Sequence, residues 1–169
     1  MSRARFLVTG GAGFIGSNIV ETLLKEKQPV TVLDNLSTGQ FKFIAPFVKA
    51  KAVNFIKGDI RKMSDLNRAM KGVQYVLHIA ANRAVERSVD NPLETNEVNI
   101  TGTLNVLIAA RDACVKRVVF SSSSSVYGDT KKFPCDEADK PNPQSPYAAS
   151  KIMGEYYCNI FYKLYGLET

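Results

Sequence analysis

Hydrophobic positions along the chain switch repeatedly between two spacings. Residues 6 to 9 form a compact apolar run closed by glycines, which reads as a buried strand. From residue 13 to 27 the apolar side chains of Phe14, Ile15, Ile19, Val20, Leu23 and Leu24 recur at helical spacing, and Pro29 ends the pattern. Residues 30 to 33, 53 to 56, 75 to 79 and 118 to 120 read as four more strands. The stretch from 35 to 51 reads as a loop with a turn of helix around residues 41 to 48. A short helix is expected over 64 to 70, capped by Ser64 or Asp65. Pro92 opens a long helix to about residue 113. A last helix runs from Ser145 to about residue 164 with Pro146 in its first turn. Strands alternating with helices imply a parallel sheet covered on both faces. Right-handed crossovers make it a doubly wound α/β arrangement. No internal repeat or interdomain linker interrupts it, so residues 1 to 169 read as one domain.

Composition narrows this picture. A chain of 169 residues with 45% hydrophobic and 22% charged positions can bury one sizeable core and has no signature of disorder. No segment approaches the ~20 apolar residues that cross a bilayer. The apolar run before the first glycines is too short for a signal peptide. A cytoplasmic protein without a membrane partner is expected. The formal charge of +6 comes from scattered Lys and Arg, with no dense run and no interleaved aromatics. That argues against nucleic acid and for a solvated basic surface, at most a field that draws in anionic nucleotide-type ligands. Cys114, Cys135 and Cys158 are odd in number and widely spaced, and read as reduced structural thiols. His78 stands alone in an apolar run, so no metal is expected. The sequon at Asn99 has no meaning without secretion.

Candidate chemistry lies at the ends of the predicted strands. Gly10, Gly13 and Gly16 form a GxxGxxG turn between the first strand and the first helix. Glycines there allow a tight turn, backbone approach to a pyrophosphate and close helix–strand packing. The helix N-terminus offers free N–H groups to phosphate. No Lys-Ser/Thr follows, which excludes a nucleoside triphosphate P-loop. Asp34 ends the second strand, at the offset of a ribose-binding carboxylate whose charge would repel a 2′-phosphate and so favours NAD over NADP. Asp59 ends the third strand, where it either reaches an adenine amino group or simply caps a turn.

Tyr147 and Lys151 stand four apart at the start of the last helix and share a face. Tyrosine is a poor base at neutral pH, but a neighbouring ammonium and an oxidised nicotinamide both favour the phenolate. The pair becomes specific only beside a dinucleotide site and a hydroxyl donor. The run from Ser121 to Ser125 supplies that donor. It resembles a linker in isolation, yet it begins where the fifth strand ends, and ligands in open parallel sheets lie beyond those ends.

The segments "TGGAGFIGSN", "LDNLSTG", "GDI", "HIAA", "EVNITGTLNVL", "FSSSSSVYGD" and "SPYAASK" cover nearly the whole chain. Together they resemble the extended short-chain dehydrogenase/reductase superfamily, specifically its NAD-dependent nucleotide-sugar epimerase/dehydratase branch and, within it, UDP-sugar 4-epimerases. The resemblance implies a Rossmann domain with Tyr147 as catalytic base, Lys151 as its supporting cation and Ser123 as the hydroxyl on the reacting sugar oxygen. It implies backbone N–H groups of Phe14 and Ile15 on the pyrophosphate. Asp34, Asn35, Ser37 and Gly39 would surround the adenosine ribose, and Asp59 and Ile60 the adenine. Ala80, Ala81 and Arg83 would line the middle of the cofactor. Asn99 would lie on the nicotinamide side, and Ser121 and Ser122 beside the cofactor. A nucleotide-diphosphate sugar substrate and a homodimer built on the helix after Pro92 and the Tyr147 helix are likewise implied.

The chain departs from the branch in two ways. Ser124 and Ser125 stand where 4,6-dehydratases carry an Asp-Glu pair, and hydroxyls cannot do that acid–base work near neutral pH. The family also continues with a further strand and a substrate domain, so an incomplete sheet with a bare apolar edge at the fifth strand is expected. A reductase, decarboxylase, 2-epimerase or dehydratase of the branch remains an alternative, as does a non-catalytic NAD-binding module.

Overall fold

The computed structural model describes residues 3–130 and 134–169; Lys131 and Lys132, two of the scattered basic positions, lie outside them. Five strands, β1 (Phe6–Thr9), β2 (Val30–Asp34), β3 (Val53–Lys57), β4 (Tyr75–His78) and β5 (Arg117–Phe120), form one parallel sheet in the order β3-β2-β1-β4-β5. The doubly wound expectation holds. The order reverses beside β1, so a crevice opens at the carboxyl ends of β1 and β4.

Successive strand residues face opposite sides, and each side has its own core. Leu7, Leu33, Ile56, Val76 and Val118 pack with Leu66 of α3 (Met63–Ala69), with Val106 and Leu107 of α6 (Gly102–Asp112) and with Phe161 of α7 (Pro146–Tyr165). Val8, Val30, Val32 and Val53 face Val20 and Leu23 of α1 (Phe14–Lys25) and Ile44, which precedes α2 (Ala45–Lys49). Leu7, Leu66 and Leu107 are fully buried, each worth roughly 1.5–3 kcal/mol of apolar transfer.

Several boundaries differ from the sequence pattern. The segment after Pro92 is α5 (Pro92–Asn96), a wider π-type turn (Glu97–Thr101) and then α6, a single helical run with its hydrogen-bond spacing loosened in the middle. A six-residue helix, α4 (Val85–Asp90), precedes it and was not anticipated, because its Val85 and Val89 are exposed and leave no buried stripe. Neither Ser64 nor Asp65 caps α3; the Asp65 Oδ2 accepts the Asp59 N–H at 3.0 Å from the preceding loop instead. The fifth-strand edge is not bare along its length. Gly166 ends α7 in a left-handed conformation (φ 68°) and reverses the chain. Leu167 is then buried and the Glu168 carbonyl accepts the Val118 N–H at 2.9 Å. Among the described residues no helix is long and apolar enough to cross a membrane.

His78 ends β4 inside this framework, fully buried. The Ala80 N–H donates to Thr9 Oγ1 at 3.2 Å. Thr9 Oγ1 also pairs with His78 Nδ1 at 2.7 Å, and His78 Nε2 pairs with Thr103 Oγ1 at 3.0 Å, so both ring nitrogens have hydroxyl partners. Burial, aided by the Lys151 charge, pushes the imidazole pKa down to about 3 from 6.5. The unfolded chain takes up this proton below about pH 6.5 while the folded chain does not. The stabilisation is therefore complete above that pH and is lost as pH falls. Between about pH 5.5 and 4, urea unfolding of the wild type should lose about 1.4 kcal/mol per pH unit more than His78→Gln does. Parallel profiles would clear His78 of the effect.

Candidate functional site

The carboxyl ends of all five strands converge on one cleft of about 600 Å³, within the range of small-molecule and cofactor sites. Of the site residues named from the sequence, all but Asn99 lie on its wall.

At one end stands the glycine turn. Gly10 has φ +70°, and a Cβ there would come within 2.7 Å of the Ala80 nitrogen. A Cβ on Gly16 would lie 2.2 Å from the Gly10 carbonyl oxygen. Glycine at both positions lets β1, the start of α1 and the residue after β4 touch backbone to backbone. Gly13 then caps α1 without any side-chain hydrogen bond, and no acid sits in the first turn. The first N–H groups of α1, at Phe14 and Ile15, are thus left for an anion.

The acids beside this turn are already organised. The Asp34 carboxylate is nearly buried; its Oδ2 accepts the Ala12 N–H at 2.9 Å and its Oδ1 the Leu36 N–H at 2.8 Å. Each oxygen keeps a second lone pair for a ligand hydroxyl. Asn35 Nδ2 donates to Asp59 Oδ2 at 3.1 Å and Asn35 Oδ1 accepts the Ser37 N–H at 2.9 Å. Arg61 grips Asp59 through Nε (3.0 Å) and Nη2 (2.7 Å), which holds that carboxyl well below the usual carboxylate range. Asp59 has therefore spent both oxygens on protein donors, and an adenine amino group would have to share or displace one of them. Gly39 and Ile60 complete this end of the wall.

At the other end α7 brings in Tyr147 and Lys151. Ser145 Oγ caps the helix by accepting the Ala148 N–H at 3.1 Å. Lys151 is 4% exposed; its Nζ donates to the Ser121 carbonyl at 2.9 Å and sits 4.9 Å from the Phe120 ring centre and 5.8 Å from that of Tyr147. Burial pushes its pKa down to about 8 from 10.5, so the group stays mostly cationic at neutral pH. The serine run divides. Ser121, Ser122 and Ser123 leave β5 along the cleft wall, whereas Ser124 and Ser125 enter a 3₁₀ turn (Ser124–Tyr127). Ser122 Oγ donates to Glu155, and Ser123 Oγ accepts the Ser125 N–H at 3.2 Å.

Asn99 stands behind the wall, in the π-type turn and 3% exposed. Its Oδ1 accepts the Asn82 N–H at 2.7 Å, and its Nδ2 donates to Asn82 O and Ser150 Oγ, both at 3.0 Å. The cleft also takes in Arg61, Arg87, Glu94, Thr38, Gln40 and Phe43, which the sequence did not single out. Arg61 directly follows "GDI" and Thr38 lies within "LDNLSTG", so both were findable from position; Gln40, Phe43, Arg87 and Glu94 carry no local signal. Arg83 and Arg87 add positive charge to the wall, whereas Arg61 is paired with Asp59.

A UDP-glucose 4-epimerase of Mycolicibacterium smegmatis is 41% identical over 167 residues, which are 97% of this chain and 53% of that relative. The crystal structure of a Thermus thermophilus UDP-glucose 4-epimerase in complex with NAD superposes with a TM-score of 0.89 at 42% identity, over 96% of this chain and 52% of that one. A dTDP-glucose 4,6-dehydratase from Streptomyces venezuelae, solved with NAD and TYD bound, gives 0.91 at 39% identity over 96% and 53%. The chain thus spans about half the length of the relatives it matches. Residues 6–169 match the model of the NAD dependent epimerase/dehydratase family, and the chain belongs to that family.

Proposed function

We propose that this chain is the cofactor-binding and proton-transfer part of an NAD-dependent nucleotide-sugar 4-epimerase. The observation that carries the reading is the meeting, on one cleft wall, of the glycine turn with Ser123, Tyr147 and Lys151. A non-catalytic NAD-binding module has no use for a base, its cation and a hydroxyl together. The residues present fit a dinucleotide: an uncapped helix start for its pyrophosphate, the Asp34 carboxylate for a ribose and the Asn35–Asp59 end for its adenine. Bound there, NAD supplies a hydride acceptor that also returns the hydride.

The chain's own groups handle the proton. Lys151 keeps a positive charge beside the Tyr147 ring and so favours the phenolate. Tyr147 takes the proton of the sugar 4-hydroxyl and gives it back after the 4-keto sugar has turned over in the cleft. Ser123 donates a hydrogen bond to the reacting oxygen. The substrate is a nucleotide-diphosphate sugar of the UDP-glucose and UDP-galactose type. The similarity to a 4,6-dehydratase makes dehydration the second reading. Ser124 and Ser125 weigh against it, because they lack the acidity and turn off the wall into the 3₁₀ segment.

Helices α5 and α7 pack together and leave Leu93 (77% exposed) and Leu164 (69%) uncovered, with Tyr156 and Ile160 also exposed. We propose that a second copy covers this face.

Assays use the full product of the gene. It should interconvert UDP-glucose and UDP-galactose without net consumption of NAD; release of water from the sugar would instead identify a dehydratase. Tyr147→Phe should abolish turnover and leave NAD binding near wild type, and retained turnover would remove Tyr147 from its role. Gly16→Ala should cost roughly 1–3 kcal/mol in a urea melt and weaken NAD binding measured by calorimetry, because its methyl meets the Gly10 carbonyl. Light scattering should give a dimer, and Ile160→Glu a monomer.

A further inference from the structure

Two buried serines hold the backbone of Tyr147, and neither has a part in the proton transfer described above. The Tyr147 N–H is one of the donors that the first turn of a helix leaves without an internal partner. It donates to Ser88 Oγ at 3.1 Å. Ser88 belongs to α4, is 1% exposed, and gives its own hydroxyl proton to Val85 O at 2.6 Å. The Tyr147 carbonyl accepts from Ser150 Oγ at 2.7 Å, and that oxygen in turn accepts from Asn99 Nδ2 at 3.0 Å. Ser150 is also 1% exposed. Both hydroxyls are sealed from water: loss of Ser88 Oγ leaves the Tyr147 N–H without a replacement partner, and loss of Ser150 Oγ leaves the Tyr147 carbonyl only its helical bond and cuts its link to Asn99.

Location gives these bonds their consequence. Tyr147 lies in the first turn of α7, directly after a long segment without regular structure among its described residues. Packing of Ile152, Cys158 and Phe161 anchors the middle and far part of that helix, whereas in its opening turn the small Ala148 is the buried apolar side chain and polar contacts supply the rest. Ser88, by contrast, is fixed to the chain that leaves β4 as Ala80, Ala81 and Arg83 on the cleft wall. The hydroxyl of Ser88 therefore ties the turn carrying the phenol to the segment lining the cofactor cleft.

We propose that Ser88 and Ser150 are positioning residues for Tyr147, holding the peptide groups on either side of its Cα, one from α4 and the other through Asn99, so that the phenol keeps its place on the cleft wall near Lys151. The inference rests on the reading of Tyr147 as the base. Ser88→Ala and Ser150→Ala are made in the full gene product, beside Tyr147→Phe. Each alanine variant should lose roughly 10- to 100-fold in kcat, the scale of a misplacement of about 1 Å, with KM for the UDP-sugar and bound NAD per chain unchanged. Ser88→Thr, which keeps the hydroxyl, should restore kcat. The double variant should lose less than the product of the single losses, because both bonds hold the backbone of one residue. Wild-type kcat in both alanine variants overturns the proposal, and so does a loss that only tracks loss of bound NAD. If Ser88→Ala does not fold, Ser150→Ala, which leaves α4 intact, decides. Turnover by Tyr147→Phe defeats the base reading itself. An inactive Tyr147→Phe beside fully active serine variants defeats only the positioning role.

Discussion

The rest of the structure depends on a contact that excludes side chains. Where β1 passes into α1, the Gly16 Cα lies against the Gly10 carbonyl so closely that a methyl group cannot enter. On its other side Gly10 lies against the Ala80 peptide. Three backbones thus meet at the reversal of strand order, and the start of α1 is aimed into the crevice instead of being capped by a side chain. Asp34 supports the same turn from β2 through the Ala12 N–H, so a carboxylate suited to a ribose also braces the loop suited to a pyrophosphate.

The far end of the cleft is organised by buried polar groups. Lys151 is nearly out of water and, among the described residues, has no carboxylate partner; one carbonyl and two aromatic faces hold it. Its charge reaches His78, which stays neutral between two threonine hydroxyls on β1 and α6. A cation in such a place costs stability, and an apolar residue would pack there more cheaply. The proposed reaction has a use for it: a charge whose field is little screened beside the Tyr147 ring.

Much of this was legible in the residue order. The five strands, the glycine turn, Asp34 and the Tyr147–Lys151 pair all follow from local rules: a two-residue period, a steric demand for glycine, a one-turn spacing. The reading of the serine run as a strand end also follows, because β5 is apolar up to Phe120. What escaped was set by distant partners. Asp65 is a good cap by type, but the Asp59 N–H lies nearer to it. Helix α4 has no buried apolar stripe, and its one buried side chain, Ser88, meets the opening turn of α7. Asn99 falls in a helical pattern that looks continuous, yet the widened turn sends its carboxamide to Asn82 and Ser150 behind the wall.

By itself the sequence determined the class of fold, the end of the sheet at which ligands collect and the residue types that collect there. Those properties are local, fixed by which side chains a strand, a tight turn or a helix start tolerates. Tertiary structure alone decided which hydroxyl faces which peptide, which carboxylate is already occupied from a distant strand end, as Asp59 is by Asn35, and how deeply Lys151 is buried. Those outcomes depend on groups tens of residues apart being brought within hydrogen-bonding distance, and no local pattern carries that far.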